Sequence, residues 1–284
     1  MAEYRGCELV RQMDSLGILP GSLAVWGLGQ MGVAIKGSPG GLVYIDPVLS
    51  NVVAEKEPAN ADKFSRAFPA PLQPGEINNA ALVLCTHEHI DHTDPYTLGP
   101  LAKASPEARF AAPRWASKAL DEAGITQERR LYLDPMTAVK LGPVTITAIP
   151  AAHYEMEFSI DLGYRFFSYL IEWNGVRFFH SGDTLITPAY LDLLRRLPPF
   201  DIALVAMNGR DAFRESKGIL GNLLPVEAAW LASEMGWDTL LGGHNDLFSW
   251  NSLQPGELAN AVSRINPRQK YLSLQPGQLF YYVR

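Results

Sequence analysis

The sequence predicts an α/β fold in which two β-sheets pack face to face and helices cover their outer surfaces. Three observations lead to this prediction: strand patterns dominate the first half of the chain, helix patterns are interspersed, and polar clusters recur where strands end. A doubly wound parallel sheet is the alternative. The hairpins expected in the first half argue against it, because parallel strands need long crossover connections.

The first predicted strands lie in residues 22–47. Three apolar runs, SLAVWGLG, GVAIKG and GLVYIDP, are separated by turns that contain glycine. One of these turns carries GLGQMG, a glycine pattern found in dinucleotide-binding loops. A strand pattern follows it where such a loop would need a helix, so we expect a tight turn there and no nucleotide site.

Residues 48–80 differ in character from the strands around them. They are polar and rich in alanine, and they end in FPAPLQPGEI, whose three prolines exclude a regular element. We interpret this segment as a surface excursion and as a candidate wall of an active site. The chain then enters ALVLCT, an apolar run expected to be a strand buried on both faces.

The next elements include a clear β-hairpin. RFAAP, AVKLG and VTITAIPA predict strands, and WASKALDEAG predicts a helix. FFSYLIEW and VRFFHSG then flank Asn174-Gly175, and Asn-Gly between apolar runs is the strongest short-range hairpin signal.

The last third alternates helices and strands. Thr187 can cap a helix that starts at Pro188, and a helix that starts at Pro225 can end at Gly236. FDIALVAM and DTLLGGH predict strands, residues 255–265 a helix, and KYLSLQ and QLFYYVR the final strands.

The chain shows no internal repeat, low-complexity tract or flexible linker. Residues 1–284 are therefore expected to form a single domain.

Composition and charge restrict the class of partner. Hydrophobic residues make up 47 % and charged residues 19 % of the chain, as in a globular protein with a substantial core. The net charge of −6 gives no basic field for nucleic acid or an anionic membrane. No window approaches the roughly 20 apolar residues that span a bilayer, and the N-terminus lacks a signal-peptide pattern. We expect a cytoplasmic protein with a small-molecule substrate.

The stretch THEHIDH, residues 86–92, holds three of the six histidines. Strand side chains alternate, so His87, His89 and Asp91 are expected on one side, with His92 following at the turn. Four ionisable groups crowded together without a metal would repel each other or stay unsatisfied. Imidazole and carboxylate are ligands of zinc, manganese and iron, so the stretch predicts a metal site.

Other strand ends supply further candidate ligands. His153, Asp183 and His244 each follow an apolar strand pattern, in AIPAAHYE, FFHSGDT and LLGGHND. His180 precedes its turn and is left out of the ligand set. Their position at strand ends favours metal ligation, and the alternative for each is a hydrogen-bonded polar residue without a ligand.

THEHIDH followed by His153, HSGD and GGH resembles the metallo-β-lactamase superfamily, and the order of motifs matches from Asp46 in YIDP onward. The resemblance implies a four-layered αββα sandwich with its active site at one edge, between the sheets. GSLAVWGLGQMG, SYLIEWNGVRFFHSGDT, DIALVAMNGR and GGHNDLFSWN are similar to the L-ascorbate-6-phosphate lactonase-like branch.

The resemblance also implies one or two divalent metal ions, with manganese or zinc expected first and iron as another option. The implied first subsite is His87, His89 and His153, the second is Asp91, His92 and His244, and Asp183 bridges them. Asp46 would orient the ligands from behind. Its alternative role is that of a carboxylate that closes a turn.

Hydrolysis is the implied chemistry. A water activated by the metal attacks a carbonyl or phosphorus, and Asp91 moves a proton to the leaving oxygen. Opening of a sugar-acid lactone, with or without a phosphate group, is the preferred interpretation. The alternatives are a phosphodiesterase or RNA-processing nuclease and, from another class, a non-catalytic metal-binding module. Members of this branch often form symmetric oligomers, so a homo-oligomer is an open expectation.

Two arginines are candidate substrate ligands. Arg165 in DLGYRFFSYL matches an arginine of the lactonase-like pattern, and Arg210 lies with Arg214 and Lys217 in the polar loop NGRDAFRESKG. A planar guanidinium can bond two phosphate oxygens. A solvated basic surface is the alternative for each of them.

Overall fold

The computed structural model describes residues 5–254 and 256–284. Seven strands of this part form the first sheet, numbered here in chain order. From one edge to the other they are β16 (Leu279–Val283), β1 (Ser22–Gly29), β2 (Gly32–Lys36), β3 (Leu42–Ile45), β4 (Ala80–Leu84), β5 (Arg109–Ala111) and β6 (Arg130–Leu131). Pairing is antiparallel from β16 to β3 and parallel from β3 to β6.

The second sheet repeats this arrangement. Its strands are, in order, β7 (Ala138–Leu141), β8 (Val144–Pro150), β11 (Phe167–Trp173), β12 (Val176–His180), β13 (Ile202–Ala206), β14 (Thr239–Gly243) and β15 (Lys270–Ser273). Pairing is antiparallel from β7 to β12 and parallel from β12 to β15. A small ribbon of β9 (Phe158–Ser159) and β10 (Gly163–Tyr164) lies between β8 and β11 in the chain.

The main core lies between the two sheets. Side chains of a strand alternate between its faces. Leu23 and Val25 of β1 therefore join the same buried cluster as Ile202 and Leu204 of β13. The intervening residues of both strands face outward. This face-to-face packing removes the apolar inner surface of both sheets from water, the dominant favourable term in folding.

Helices cover both outer faces. The first sheet carries α1 (Cys7–Ser15), α4 (Pro95–Ala104) and α5 (Ser117–Glu122), and the second carries α6 (Pro188–Arg195), α8 (Pro225–Glu234) and α9 (Glu257–Ile265). Short helices α2 (Val52–Lys56), α3 (Ala61–Phe64) and α7 (Ala212–Glu215) lie in loops. The layers are therefore helix, sheet, sheet, helix, and the predicted four-layered αββα sandwich is confirmed.

The predicted hairpin and helix cap are present. Asn174 and Gly175 have φ of 52° and 80°, as a type I′ turn requires. The Asn174 side-chain amide donates to the carbonyls of Leu19 and Ser22, which ties the hairpin to the first sheet. The Thr187 hydroxyl accepts a hydrogen bond from the backbone N–H of Tyr190.

Some elements differ from the prediction. Residues 48–80 contain α2 and α3, although FPAPLQPGEI forms only a short 3-10 turn at Pro74–Glu76. The last predicted helix begins at Glu257, and Pro255 lies outside the described residues. Within the described part of the chain, no helix is long and apolar enough to cross a membrane.

Candidate metal centre

Five strand ends meet at one edge of the sandwich. β3, β4, β8, β12 and β14 run in compatible directions, so their carboxyl ends lie at the same edge. The loops that follow them carry, in order, Asp46, the segment 86–94, His153, Asp183 and His244. The sheet pairing thus brings together residues that are far apart in the chain.

Asp183 lies at the centre of the cluster. One carboxylate oxygen is 3.2 Å from His92 Nε2, and the other is 3.2 Å from His244 Nε2 and 3.9 Å from His153 Nε2. A carboxylate whose two oxygens face different imidazoles can bridge two cations. This geometry favours the predicted role of Asp183 as a bridge between two metal ions, which stays a prediction.

Two groups of side chains have ligand atoms that all lie within 4.8 Å of one another. They are His87, His92 and Asp183, and Asp91, His92 and His244. His89 and His153 lie beside the first group: the His89 ring centroid is 4.5 Å from that of His87 and 5.5 Å from that of His153. His92 thus takes part in both groups, whereas the sequence assigned it to the second subsite alone.

The segment 86–94 brings its side chains together by a turn. β4 ends at Leu84, and the N–H groups of His92 and Thr93 both donate to the His89 carbonyl, at 2.9 and 2.8 Å. We expected strand alternation to bring His87, His89 and Asp91 together. That expectation is wrong, because the strand ends before these residues. A tight turn after a parallel strand achieves the same convergence.

Asp46 and Thr86 fix two histidine tautomers. Asp46 is fully buried and accepts from His92 Nδ1 at 2.8 Å, from the Thr86 hydroxyl at 2.7 Å and from the Thr86 N–H at 2.8 Å. The Thr86 hydroxyl uses its proton on Asp46, so His87 Nδ1, 3.0 Å away, must donate to it. In their neutral forms, both imidazoles therefore carry the proton on Nδ1 and present Nε2 to the cluster, as metal ligation requires.

Unsatisfied buried atoms test whether the cluster fits a metal. Among the described residues, His87 Nε2, His92 Nε2 and Asp183 Oδ1 have no hydrogen-bond partner. Buried polar atoms are nearly always bonded, yet these three belong to one of the compact groups described above. Nitrogen and carboxylate donors aimed at one small volume fit a divalent ion such as zinc, manganese or iron.

Carboxylates keep two of the histidines protonated when no ion is bound. Burial by itself would lower the pKa of His244, but Asp183 and Asp91 raise it to about 9. Burial likewise opposes protonation of His92, but Asp183, Asp91 and Asp46 raise its pKa well above the usual value.

Two other histidines of the cluster, His87 and His153, have a lowered pKa and are neutral. Burial and the neighbouring imidazole of His92 hold the pKa of His87 well below its usual value. Burial also lowers the pKa of His153 to about 4. The pKa of Asp183 is well below its usual value because the attraction of His244 and His92 outweighs burial. The cluster therefore contains ionised carboxylates beside both protonated and neutral imidazoles.

Gln30 belongs to the site, although it is not among the site residues predicted from the sequence. Its amide nitrogen donates to Asp91 Oδ2 at 2.8 Å and lies 3.1 Å from His244 Nε2. Its backbone accepts from the His244 N–H at 2.8 Å and donates to Asp246 at 2.9 Å. The residue lies in the GLGQMG turn between β1 and β2, and only the packing of the two sheets brings this turn to the cluster.

A cavity of about 560 Å³ opens above the cluster, a size typical of small-molecule sites. Its floor includes His89, Asp91, His153, Asp183 and His244. The segment 48–80 supplies one wall through Val53, Glu57, Asn60 and Phe64, and residues 217–220 supply another. The interpretation of residues 48–80 as a wall is thus confirmed.

The two candidate substrate arginines lie outside the cavity lining. Arg165 forms ion pairs with Glu88 at 2.5 Å and with Glu157 at 2.9 Å. Arg210 forms a two-pronged ion pair with Glu227 at 2.6 and 2.7 Å. Their contact with substrate stays a prediction.

Comparison with known proteins places this fold and site in a family. Residues 42–273 match the protein family described as "Beta-lactamase superfamily domain". The chain therefore belongs to the metallo-β-lactamase superfamily, and it is a metal-dependent hydrolase of that superfamily.

Particular relatives are distant. The chain is 21 % identical to the "probable L-ascorbate-6-phosphate lactonase UlaG" of Salmonella paratyphi B, over 94 % of this chain and 81 % of that protein. The structure is similar to Igni18, a metallo hydrolase of Ignicoccus hospitalis, with a TM-score of 0.65, 18 % identity and coverage of 92 % and 98 % of the two chains. It is also similar to an isothiocyanate hydrolase from Delia radicum gut bacteria, with a TM-score of 0.66, 14 % identity and coverage of 92 % and 99 %. At such identities, the structural similarity establishes the fold alone.

Proposed function

We propose that this protein opens the lactone ring of a small organic acid, with a sugar-acid lactone as the first candidate. The observation that carries the proposal is the buried His/Asp cluster, which has unsatisfied ligand atoms and five of whose residues line a small-molecule cavity. Similarity to a lactonase over 94 % of the chain supports the choice of a lactone over other electrophiles.

The ligands in this proposal are His87, His89, Asp91, His92, His153, Asp183 and His244. One or two divalent ions held there would polarise the substrate carbonyl and lower the pKa of a water molecule toward neutrality. Asp183 would hold both subsites at a fixed distance because its oxygens face different imidazoles. Asp46 would keep His92 in the tautomer that presents Nε2.

Asp91 has the geometry of a proton carrier in the proposed reaction. It lines the cavity, and its side chain is 21 % exposed, whereas the side chains of His92, Asp183 and His244 are buried. Its Oδ2 accepts from Gln30, which orients the carboxylate. A carboxylate at this place can take a proton from the attacking water and deliver it to the ring oxygen as the ring opens.

The test is ring opening of a panel of lactones by zinc-loaded and manganese-loaded protein, followed by proton release. We expect at least one lactone to be opened at a rate that chelation abolishes. If no lactone reacts but a phosphodiester such as bis(p-nitrophenyl) phosphate does, the lactonase proposal is wrong and the phosphodiesterase alternative replaces it. Failure of both substrates with metal bound would show that neither a lactone nor a phosphodiester is the substrate.

A further inference from the structure

We infer that the substrate is an uncharged lactone with a small apolar edge and that a phosphate group on it would be rejected. This inference rests on the proposed function, because it concerns the same cavity. Three features of the described residues carry it: the apolar walls, the sign of the charges that line the cavity, and the carboxylate partners of the nearby arginines.

Apolar side chains form half of the cavity lining above the metal ligands. They come from four separate segments of the chain and are Val53, Phe64, Ile90, Ile219, Leu220 and Phe248. Phe64 and Phe248 pack edge to face, with ring centroids 5.8 Å apart, so this wall is a rigid aromatic surface. Such a surface favours an alkyl group, because its contact removes apolar area from water. A phosphate placed there would lose its hydration without gaining hydrogen bonds.

The charged residues of the cavity wall above the metal ligands are mainly acidic, although Glu88 also pairs with Arg165 through Oε1. Apart from the metal ligands, Glu57 and Glu88 line it, and Lys217 is the one Lys or Arg among the described residues that does so. Glu88 Oε2 is buried and has no hydrogen-bond partner within the described part of the chain. A carboxylate oxygen in that state accepts a hydrogen bond from a hydroxyl group but repels a phosphate.

The arginines that could otherwise bind phosphate are already paired. Arg165 contacts Glu88 and Glu157, and its guanidinium also lies 5.0 Å from the Phe166 ring centroid. Arg210 contacts Glu227. Phosphate binding by either arginine would require it to leave a carboxylate partner. Both arginines therefore stabilise the structure around the cavity. Among the described residues, no arginine lines the cavity to bind a phosphate through two hydrogen bonds, as a phosphate site normally does.

A matched set of three γ-lactones tests the inference. One carries a hydroxymethyl group, the second carries the phosphate ester of that hydroxyl, and the third carries an alkyl group in its place. With zinc-loaded protein, we expect kcat/KM for both uncharged lactones to exceed that for the phosphorylated one by about tenfold or more. Calorimetric binding of the three ring-opened acids should give the same order without any turnover.

Two isoleucine variants locate the apolar contact. Ile219→Ala should lower kcat/KM and binding for the alkyl compounds by about fivefold and by less for the hydroxymethyl compounds, which bury less apolar area against it. Ile160→Ala is the matched control, because Ile160 is 88 % exposed and lies outside the cavity lining. This control should leave kcat/KM and binding unchanged for both the alkyl and the hydroxymethyl compounds.

The outcomes separate the inference from the proposed function. If the phosphorylated lactone is opened faster, or its acid binds more tightly, the inference is overturned while lactone hydrolysis stands. If no lactone is opened but the uncharged acids bind more tightly, the inference stands and the proposed function fails. Equal binding of all three acids, or binding of none, overturns the inference. Equal loss for both alkyl and hydroxymethyl compounds in Ile219→Ala would overturn the assignment of the apolar wall.

Discussion

Asp91 is the metal-site carboxylate that faces the cavity. Its pKa lies below the usual value because the attraction of His92 and His244 outweighs its burial, so it is ionised at neutral pH. Asp91 is also the more exposed of the two candidate carboxylate ligands: its side chain is 21 % exposed, compared with 5 % for Asp183. This combination suits a group that must both bind a cation and exchange protons.

Asp91→Asn should reduce kcat/KM by about 100-fold or more, since it removes a charged ligand and a general base. The amide is the same size as the carboxylate and can still meet Gln30, so the fold should persist. Steady-state kinetics at saturating zinc, with circular dichroism as the control, tests this. A variant that keeps most of the wild-type rate would remove Asp91 from the proton-transfer role.

Gln30 is a positioning residue, because it acts through Asp91 and His244. Gln30→Ala should lower kcat about tenfold with little change in KM, because the substrate does not need its amide. Gln30→Glu keeps the shape but loses the N–H donor, so it should be equally slow. If Gln30→Glu were as active as the wild type, the side chain would serve only to fill space.

The loops that follow the strands hold the site by backbone strain as well as by hydrogen bonds. Of the six described residues other than glycine that have positive φ, four are Gln30, Asp46, Tyr154 and His244, with φ between 44° and 69°. All four lie in or beside the cluster. Such conformations are costly and persist only where the surroundings enforce them. The strand ends therefore hold the ligands rigidly, which favours a preorganised metal site.

The turn before Asp183 gives an element-scale prediction. Gly182 has φ of 56°, and an added Cβ would lie 2.7 Å from the Phe167 carbonyl and 2.9 Å from Thr86 Cβ. Gly182→Ala should therefore cost roughly 3 kcal/mol of unfolding free energy and weaken metal binding. Gly142→Ala is the matched control: its φ is 61° but no atom lies within 4 Å of the added Cβ.

Urea unfolding of the two metal-free variants measures the difference. The control should lose only about 1 kcal/mol, from backbone conformation alone, and should bind metal as the wild type does. Equal losses in the two variants would mean that the contacts at Gly182 do not constrain the turn.

At the element scale, local signals determined what the sequence could predict. The alternating strands, the Asn174-Gly175 turn and the Thr187 cap depend on neighbouring residues, and all were predicted. Helix α4 was missed, although Asp94 before Pro95 is a normal N-cap signal and its carboxylate accepts from the Tyr96 N–H. Pro100 within the helix and the adjacent histidine motif obscured it.

At the scale of the whole molecule, the site depends on how the two sheets face each other. The first sheet supplies Asp46 and the segment 86–94, and the second supplies His153, Asp183 and His244. Residue type and strand-end position were enough to nominate the histidines, Asp91 and Asp183, whereas the role of Asp46 behind them followed from the resemblance to the superfamily. The place of His92 in both groups and the role of Gln30 depend on contacts across the sandwich, which no local sequence signal reports.

The charge state of the whole cluster predicts that metal binding is linked to proton release. The raised pKa values of His92 and of His244, about 9 for the latter, mean that both are protonated at pH 7 without metal. Ligation requires neutral imidazole, so zinc affinity should rise with pH up to about 9. Calorimetry at pH 7 in buffers of different ionisation enthalpy should report about one to two protons released. Affinity that does not change with pH would contradict these protonation states.

The most direct measurement is a titration of metal-free protein with zinc or manganese, with bound metal and lactone opening followed together. We predict that activity is absent at the start, rises in proportion to bound metal and saturates at one or two ions per chain. Full activity without metal would contradict the account, and so would a metal-saturated protein that opens no lactone.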